Sequence, residues 1–321
     1  MKLFRLIAFS TATAFATGHD VWSAAYPDRP IRMIVAFSAG GGSDLAARNV
    51  AQKMSETFGQ SVIVDNRTGA NGAIGAELTA RAAADGYTLL MLSVAHVIAA
   101  AYESTLPYDV IRDFAAVSQV VQQPYLVVAN LSLPARSIQE LIALAKMKPG
   151  ELNYGSSGIA GSNHLATELF SAAAGIRMVH VPYKGPQQAL ADVLGGQMQL
   201  MFTSIIVGLP LARSGKLRAL AVTSARRTNA APEYPTVAET LPGYESIGWY
   251  GVVAPRGTPR AAVELLSRTI ANGLQSKDVK ERLAADGSET VGNTPVEFEH
   301  FMQRELTRYA KVIKDAGIRR E

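Results

Sequence analysis

IRMIVAFSAGGGSDLAARNVAQKMSETF, residues 31–58, decides the fold. Ile31 to Phe37 is a continuous apolar, β-branched run, Ser38 to Ser43 is a glycine loop, and Asp44 to Phe58 carries apolar residues at helical spacing. A buried strand, a tight loop and an amphipathic helix in that order open an α/β unit with parallel sheet. Outward from this stretch the rhythm repeats. Ser61 to Val64 reads as a strand, Asn71 to Ala84 as a small-residue helix, and Tyr87 to Leu92 and Ala116 to Val121 as strands.

A second cycle opens near Pro124, with a strand at Tyr125 to Ala129 and a helix started by the capping box Ser137-Ile138-Gln139-Glu140. Strands at Met178 to Val181, Gln199 to Phe202 and Leu217 to Val222 and helices through Ala174 and Gln187 to Leu194 complete it. Ile247 to Ala254 is a further strand. Thr258-Pro259 and Thr294-Pro295-Val296-Glu297 start two C-terminal helices, each with a hydroxyl before Pro at the first turn. The reading is α/β in two lobes, 26–124 with 252–321 and 125–251, joined by the crossover strands near 125–129 and 247–254, with a ligand cleft between them.

The chain has 321 residues, 48% hydrophobic and 18% charged, with no cysteine, which excludes disorder, disulfides, thiolate metal sites and cysteine nucleophiles. Lys2 and Arg5, the apolar Leu6 to Ala16 and the small residues Ser23-Ala24-Ala25 predict a secretory signal over 1–25. Without Lys2, Arg5 and Asp20 the formal charge falls from +4 to +3, with 29 basic against 26 acidic residues. No basic stripe interleaved with aromatics is present, so a nucleic-acid partner is not expected. The five histidines, 19, 96, 164, 180 and 300, lack paired ligand spacing, and neither a metal nor a cofactor is expected.

Three glycine loops precede helices: Phe37 to Asp44, Thr68 to Gly75, and Gly155 to Ser162. Helix starts bind anions because their first amides have no intrahelical partner and the dipole is positive there. The first loop lacks a P-loop Lys-Ser/Thr, and Leu45 breaks the dinucleotide spacing. Each loop alone reads equally as a structural turn; together, at strand ends in two lobes, they predict a cleft closing on a small anion. Ser156, Ser157 and Ser162 beside His164 raise a hydrolase alternative, but no G-x-S-x-G elbow exists. His164 is either a ligand donor or a buried structural ring, His96 a cleft hydrogen-bonder, Tyr183 a cleft wall, and Lys184 a solvated turn residue. Thr203-Ser204 is a hydroxyl pair at a strand end.

Tyr26-Pro27, Ala39 to Asp44, Asn66 to Gly75, Asp85 to Leu89, Asn153 to Gly158, Ser162 to Ala166, Val181 to Gly185 and Gly215 to Val222 together resemble the Bug family, the extracytoplasmic solute-binding receptors of tripartite tricarboxylate transporters. The resemblance runs from about residue 26 to the C-terminus. It implies a monomeric, non-enzymatic two-lobed periplasmic binding protein for a small carboxylated metabolite, read by a membrane permease or, alternatively, a sensor kinase. Carried over by position, Phe37, Ala39, Gly40, Ser43, Asn71, Ser93 and His96 would line the first lobe of the cleft. Ser156, Ser157, Ser162, His164, Tyr183, Thr203 and Ser204 would line the second. Thr203 stands where many members carry an acidic residue, which argues against a ligand ammonium. Gly40-Gly41-Gly42 replaces the Pro-Gly-Gly of some members.

Overall fold

The computed structural model describes residues 26–183, 185–285 and 287–318; the expected signal segment, Lys184 and the pair Arg319-Arg320 lie outside them. The first lobe begins β1 (Ile31–Val35), α1 (Gly42–Phe58), β2 (Val62–Asn66), α2 (Ala73–Ala80), β3 (Thr88–Ser93), α3 (Val94–Tyr102) and β4 (Phe114–Ala129). The second runs α4 (Ile138–Met147), β5 (Asn153–Ser156), α5 (Ser162–Ala174), β6 (Val179–Pro182), α6 (Pro186–Leu194), β7 (Leu200–Ser204), α7 (Ile205–Arg213) and β8 (Arg218–Val222). The chain returns through β9 (Ile247–Pro255), α8 (Arg260–Gln275), α9 (Lys277–Ala285), β10 (Glu289–Thr290) and α10 (Pro295–Asp315).

The strand order β2-β1-β3-β9-β4-β7-β5-β6 has parallel flanks and an antiparallel spine. The two strands expected around 116–121 and 125–129 are one, β4, passing from lobe to lobe. Pro124 does not break it because it sits at the changeover: it lies opposite Ile247, and the next residue, Tyr125, opposite Ser204. Period-two alternation divides the core. Ile31, Met33 and Val35 enter one apolar cluster and Ile34 and Ala36 another, so both sheet faces are covered; Tyr125, Val127 and Ala129 against Leu126 and Val128 do the same in the second lobe.

Helix α2 starts later than expected, after a turn in which Ala70 and Asn71 take positive φ. Helices α3 and α7 were not expected from the sequence. Both lie in runs apolar on nearly every side, and α7 holds Pro210 in its interior. Ser137 accepts from the Glu140 amide (3.2 Å), but Glu140 reaches back to the amide of Arg136, one residue beyond the box. Thr294 and Glu297 form the reciprocal box, whereas the Thr258 hydroxyl donates to the Pro255 carbonyl and Pro259 itself precedes α8.

Two buried histidine arrangements brace the glycine loops. His96 is completely buried in α3, its Nδ1 accepting the Ser93 amide at 3.1 Å; the neutral ring therefore carries its proton on Nε2, which faces Gly72 in the second loop. His164 and His180 stack face to face, centroids 3.7 Å apart and planes 9° off parallel. His164 Nδ1 accepts the amide of Ala160, a residue at φ +55°, and His180 Nε2 lies 2.6 Å from the Ser156 hydroxyl, which in turn bonds the Gly158 amide. The pair thus pins the 156–163 loop from behind. Burial lowers His96 and His180 to about 4 and, with repulsion from His180, lowers His164 to about 3.

Because these rings stay neutral in the fold while their unfolded counterparts take up protons near 6.5, stability is full above that value and falls as pH drops from about 6.5 toward 4. His96 alone contributes about 3 kcal/mol to the fall. Urea denaturation at pH 7.5 and 4.5 checks this; equal midpoints would refute it. A second expectation concerns Gly251, where an added Cβ would come 2.2 Å from Cζ of the buried Phe298 in α10. Gly251→Ala should lower stability by about 1–3 kcal/mol in the same measurement.

Candidate ligand-binding cleft

Strands β1, β3, β5, β6 and β7 each end in a short connection whose next helix points its N-terminus at one cavity of about 530 Å3. Gly42 and Ser43 of α1, Val94 and Ala95 of α3, Ser162 and Asn163 of α5, Pro186 and Gln187 of α6, and Ser204 before α7 all line it. Helices α4 and α10, which begin elsewhere, carry side-chain caps from Ser137 and Thr294. Helices α1, α5, α6 and α7 have no capping side-chain bond from the residue before them, which is glycine in the first three. The His164 amide of α5 is taken by Asn163 Oδ1 at 3.1 Å and Pro186 of α6 has no N–H, while the other first-turn amides face a ligand together with the positive end of each dipole. Among the described residues, every group lining this cavity is uncharged.

The nearest charge to the first loop is turned inward. Asp44, 2% exposed, accepts from the Gly40 amide (2.9 Å), Arg48 Nε (2.8 Å) and Asn66 Nδ2 (3.0 Å). Burial alone would raise its pKa, but these bonds outweigh it and hold the carboxyl below its ordinary value. Asp44 thereby fixes the loop as a permanent anion and leaves the next amides of α1 facing the cavity.

Of the residues nominated from sequence, the cavity brings together Phe37, Ser43, Ser93, Ser157, Ser162, Thr203 and Ser204. The others do not line it. Ala39 and Gly40 are exposed in their loop, with the Gly40 amide bonded to Asp44. His96, Ser156 and His164 are buried behind the loops they brace, as described above. Asn71 and Tyr183 line a separate hollow with Glu103, Ile159 and Pro182, and the Tyr183 hydroxyl donates to Asp192. Two Ser–His contacts therefore exist: Ser156 with His180, where Ser156 is wholly buried and away from the cavity, and Ser93 with His96 at 3.0 Å, where Ser93 lines the cavity but the other ring nitrogen of His96 faces Gly72 and meets no orienting carboxylate among the described residues.

The floor of the cavity comes from residues not nominated: Gln123 and Tyr125 of β4 and Gly248, Trp249 and Tyr250 of β9. Their signal was available. A cleft between two lobes is floored by the strands that cross between them, and both crossovers are recognisable in the sequence. Leu190, Met201 and Val207 add an apolar wall from the second lobe. Gly42 is required where it stands, since an added Cβ would lie 2.6 Å from the Tyr250 hydroxyl.

This geometry has relatives. Residues 46–318 match the model of the tripartite tricarboxylate transporter family receptor. BugT of Bordetella pertussis is 39% identical over 319 residues, covering 98% of this chain and 98% of BugT. A solved R. palustris protein with adipate superposes with a TM-score of 0.78 at 36% identity, covering 91% of this chain and 98% of its own. MatC from Rhodopseudomonas palustris, with bound malate, has a TM-score of 0.75 at 29% identity, covering 90% of this chain and all of its own. The uncharged, amide-lined cleft and these matches agree, and the chain belongs to the tripartite tricarboxylate transporter receptor family, whose members are solute-binding receptors and not enzymes.

Proposed function

We infer that this receptor captures a small carboxylated metabolite between its lobes in the periplasm, after export on the segment 1–25, and presents it as a monomer to the permease of a tripartite tricarboxylate-type transporter. The observation that carries the reading is the convergence of helix N-termini without side-chain caps on one cavity lined by uncharged groups. Such a site favours an anion, and carboxylates are the anions held by the adipate- and malate-bound relatives. Thr203 and Ser204 supply hydroxyls where an ammonium would need a carboxylate, so the ligand carries no amine. Residues 26–124 with 252–321 act as one lobe and 125–251 as the other, and closure shifts an open and closed equilibrium that the membrane partner reads.

The test is thermal unfolding of the mature protein, stripped of bound metabolites, against di- and tricarboxylates, hydroxy acids, aromatic carboxylates and amino acids. At 100 times its Kd a ligand adds about 2.7 kcal/mol, or roughly 5 °C. The chain has two tryptophans, Trp22 in the expected signal and Trp249 in the cavity floor, so emission of the mature protein reports the cleft directly. A saturable shift with one carboxylate class is expected, and amino acids should give none. Gly42→Ala should weaken that binding by about tenfold or more through collision with Tyr250. No response to any carboxylate would overturn the proposal.

A further inference from the structure

Tyr250 stands in β9 with its hydroxyl over the first turn of α1. The distance is set by Gly42, the first residue of that helix, whose missing Cβ leaves the phenol oxygen 2.6 Å from the position a side chain would fill. That turn has no side-chain cap, and Gly42, Ser43 and Tyr250 line the same cavity. The phenol is therefore aimed at the amides that hold the anion in the reading above, on which this inference rests.

How the hydroxyl's own hydrogen bonds are spent decides what it can do. Tyr26, Tyr87, Tyr183 and Tyr244 each donate to an acceptor in the protein, namely the Gly86 carbonyl, Asp28, Asp192 and the Ala166 carbonyl. Tyr154 donates to Glu168 in the same way. Tyr250 differs from these five, as does Tyr125 on the same cavity wall: Gln123 stands beside Tyr250 on the adjoining strand and lines the same cavity, and burial keeps the phenol protonated. Among the described residues no acceptor for the Tyr250 proton stands within hydrogen-bonding reach, so the O–H is free to donate into the cavity.

We propose that Tyr250 is a specificity-determining residue, its hydroxyl donating to the carboxylate seated on the N-terminus of α1. A hydrogen bond to a charged acceptor is stronger than one to a neutral carbonyl, so Tyr250 selects a carboxylate over its uncharged isosteres at that end of the ligand. It does so without placing a cation in the cleft.

Tyr250→Phe keeps the ring over Gly42 and removes only the donor. Binding to the wild type and the variant is followed by Trp249 emission and calorimetry, with adipate, malate and benzoate as probes and their primary amides adipamide, malamide and benzamide as matched neutral partners. For each pair that binds, the variant should weaken the carboxylate by about tenfold or more and the amide by about threefold or less. Its unfolding midpoint should stay within the range expected for loss of one hydroxyl. Equal weakening of both members of a pair would make Tyr250 a packing residue and overturn the proposal, as would an unchanged carboxylate affinity. Failure of the wild type to bind any carboxylate would be a different result: it would remove the receptor reading and the role of Tyr250 with it.

Discussion

An anion taken out of water must be neutralised by something, and what the cleft of this receptor presents is a set of helix N-termini with oriented backbone amides. That requirement organises the chain. Helix N-termini leave amides without intrahelical partners; Ser137 and Thr294 close those of α4 and α10, and at the cleft the box of Ser93 and His96 closes that of α3. At the other four helices of the cleft the same position is occupied by Gly41, Gly161 and Gly185, which offer no capping oxygen, and by Ser204, whose hydroxyl does not cap α7. Glycine also lets other groups come close, as Tyr250 does at Gly42. Backbone donors cannot lose a proton or swing away, so the site is preorganised, provided the loops carrying it are held rigidly.

Holding the loops is the task of the buried polar groups, and each does it in a fixed charge state. Asp44 remains ionised because Arg48, the Gly40 amide and Asn66 all donate to it. His96 and His164 remain neutral and offer Nδ1 as acceptor to the Ser93 and Ala160 amides. Were either ring protonated, that acceptor would become a donor facing another donor, and the loop behind it would lose its anchor. The loops of the cleft therefore depend on uncharged imidazoles a few residues away, which ties their integrity to the same pH window as the stability of the fold.

The alternation of apolar runs and glycine loops made the α/β class and the first-lobe and second-lobe loops legible, because local pattern and final structure agree there. Ser157, Ser162, Thr203 and Ser204 follow from that reading, since residues at strand ends of an open α/β sheet face its ligand crevice. Chemistry alone left the histidines undecided. An imidazole near a serine reads as a site group, but His96 and His164 lie on the inner side of their helices, and the side a residue takes is decided by tertiary packing. The same applies to α3 and α7, whose apolar residues surround the whole helix because they are buried on most sides, leaving no stripe for periodicity to detect. Gln123, Tyr125, Trp249 and Tyr250 depend on the pairing of β4 with β9, a contact more than one hundred residues apart in sequence that no local motif encodes.

That long-range pairing also connects the cleft to the rest of the molecule. Trp249 faces the cavity on one side and on the other donates its indole N–H to Glu305 of α10 at 3.1 Å. Glu305 is 5% exposed and paired with Arg308 at 3.0 Å, and Arg308 reaches the carbonyl of Glu245, just ahead of β9. Burial nevertheless holds the Glu305 carboxyl above its usual value, so desolvation outweighs the neighbouring cation and the pair is better understood as fixing geometry than as adding stability. Ala160 and Leu165 of the second lobe share an apolar cluster with Val94, Trp249 and Phe298, so lobe contact and cleft floor form one packed unit. Any opening of the lobes must separate that cluster from water-free contact, at roughly 25 cal/mol for each Å2 of apolar surface exposed. A ligand that bound between the lobes, as proposed above, would add its own contacts to a seam the protein already packs.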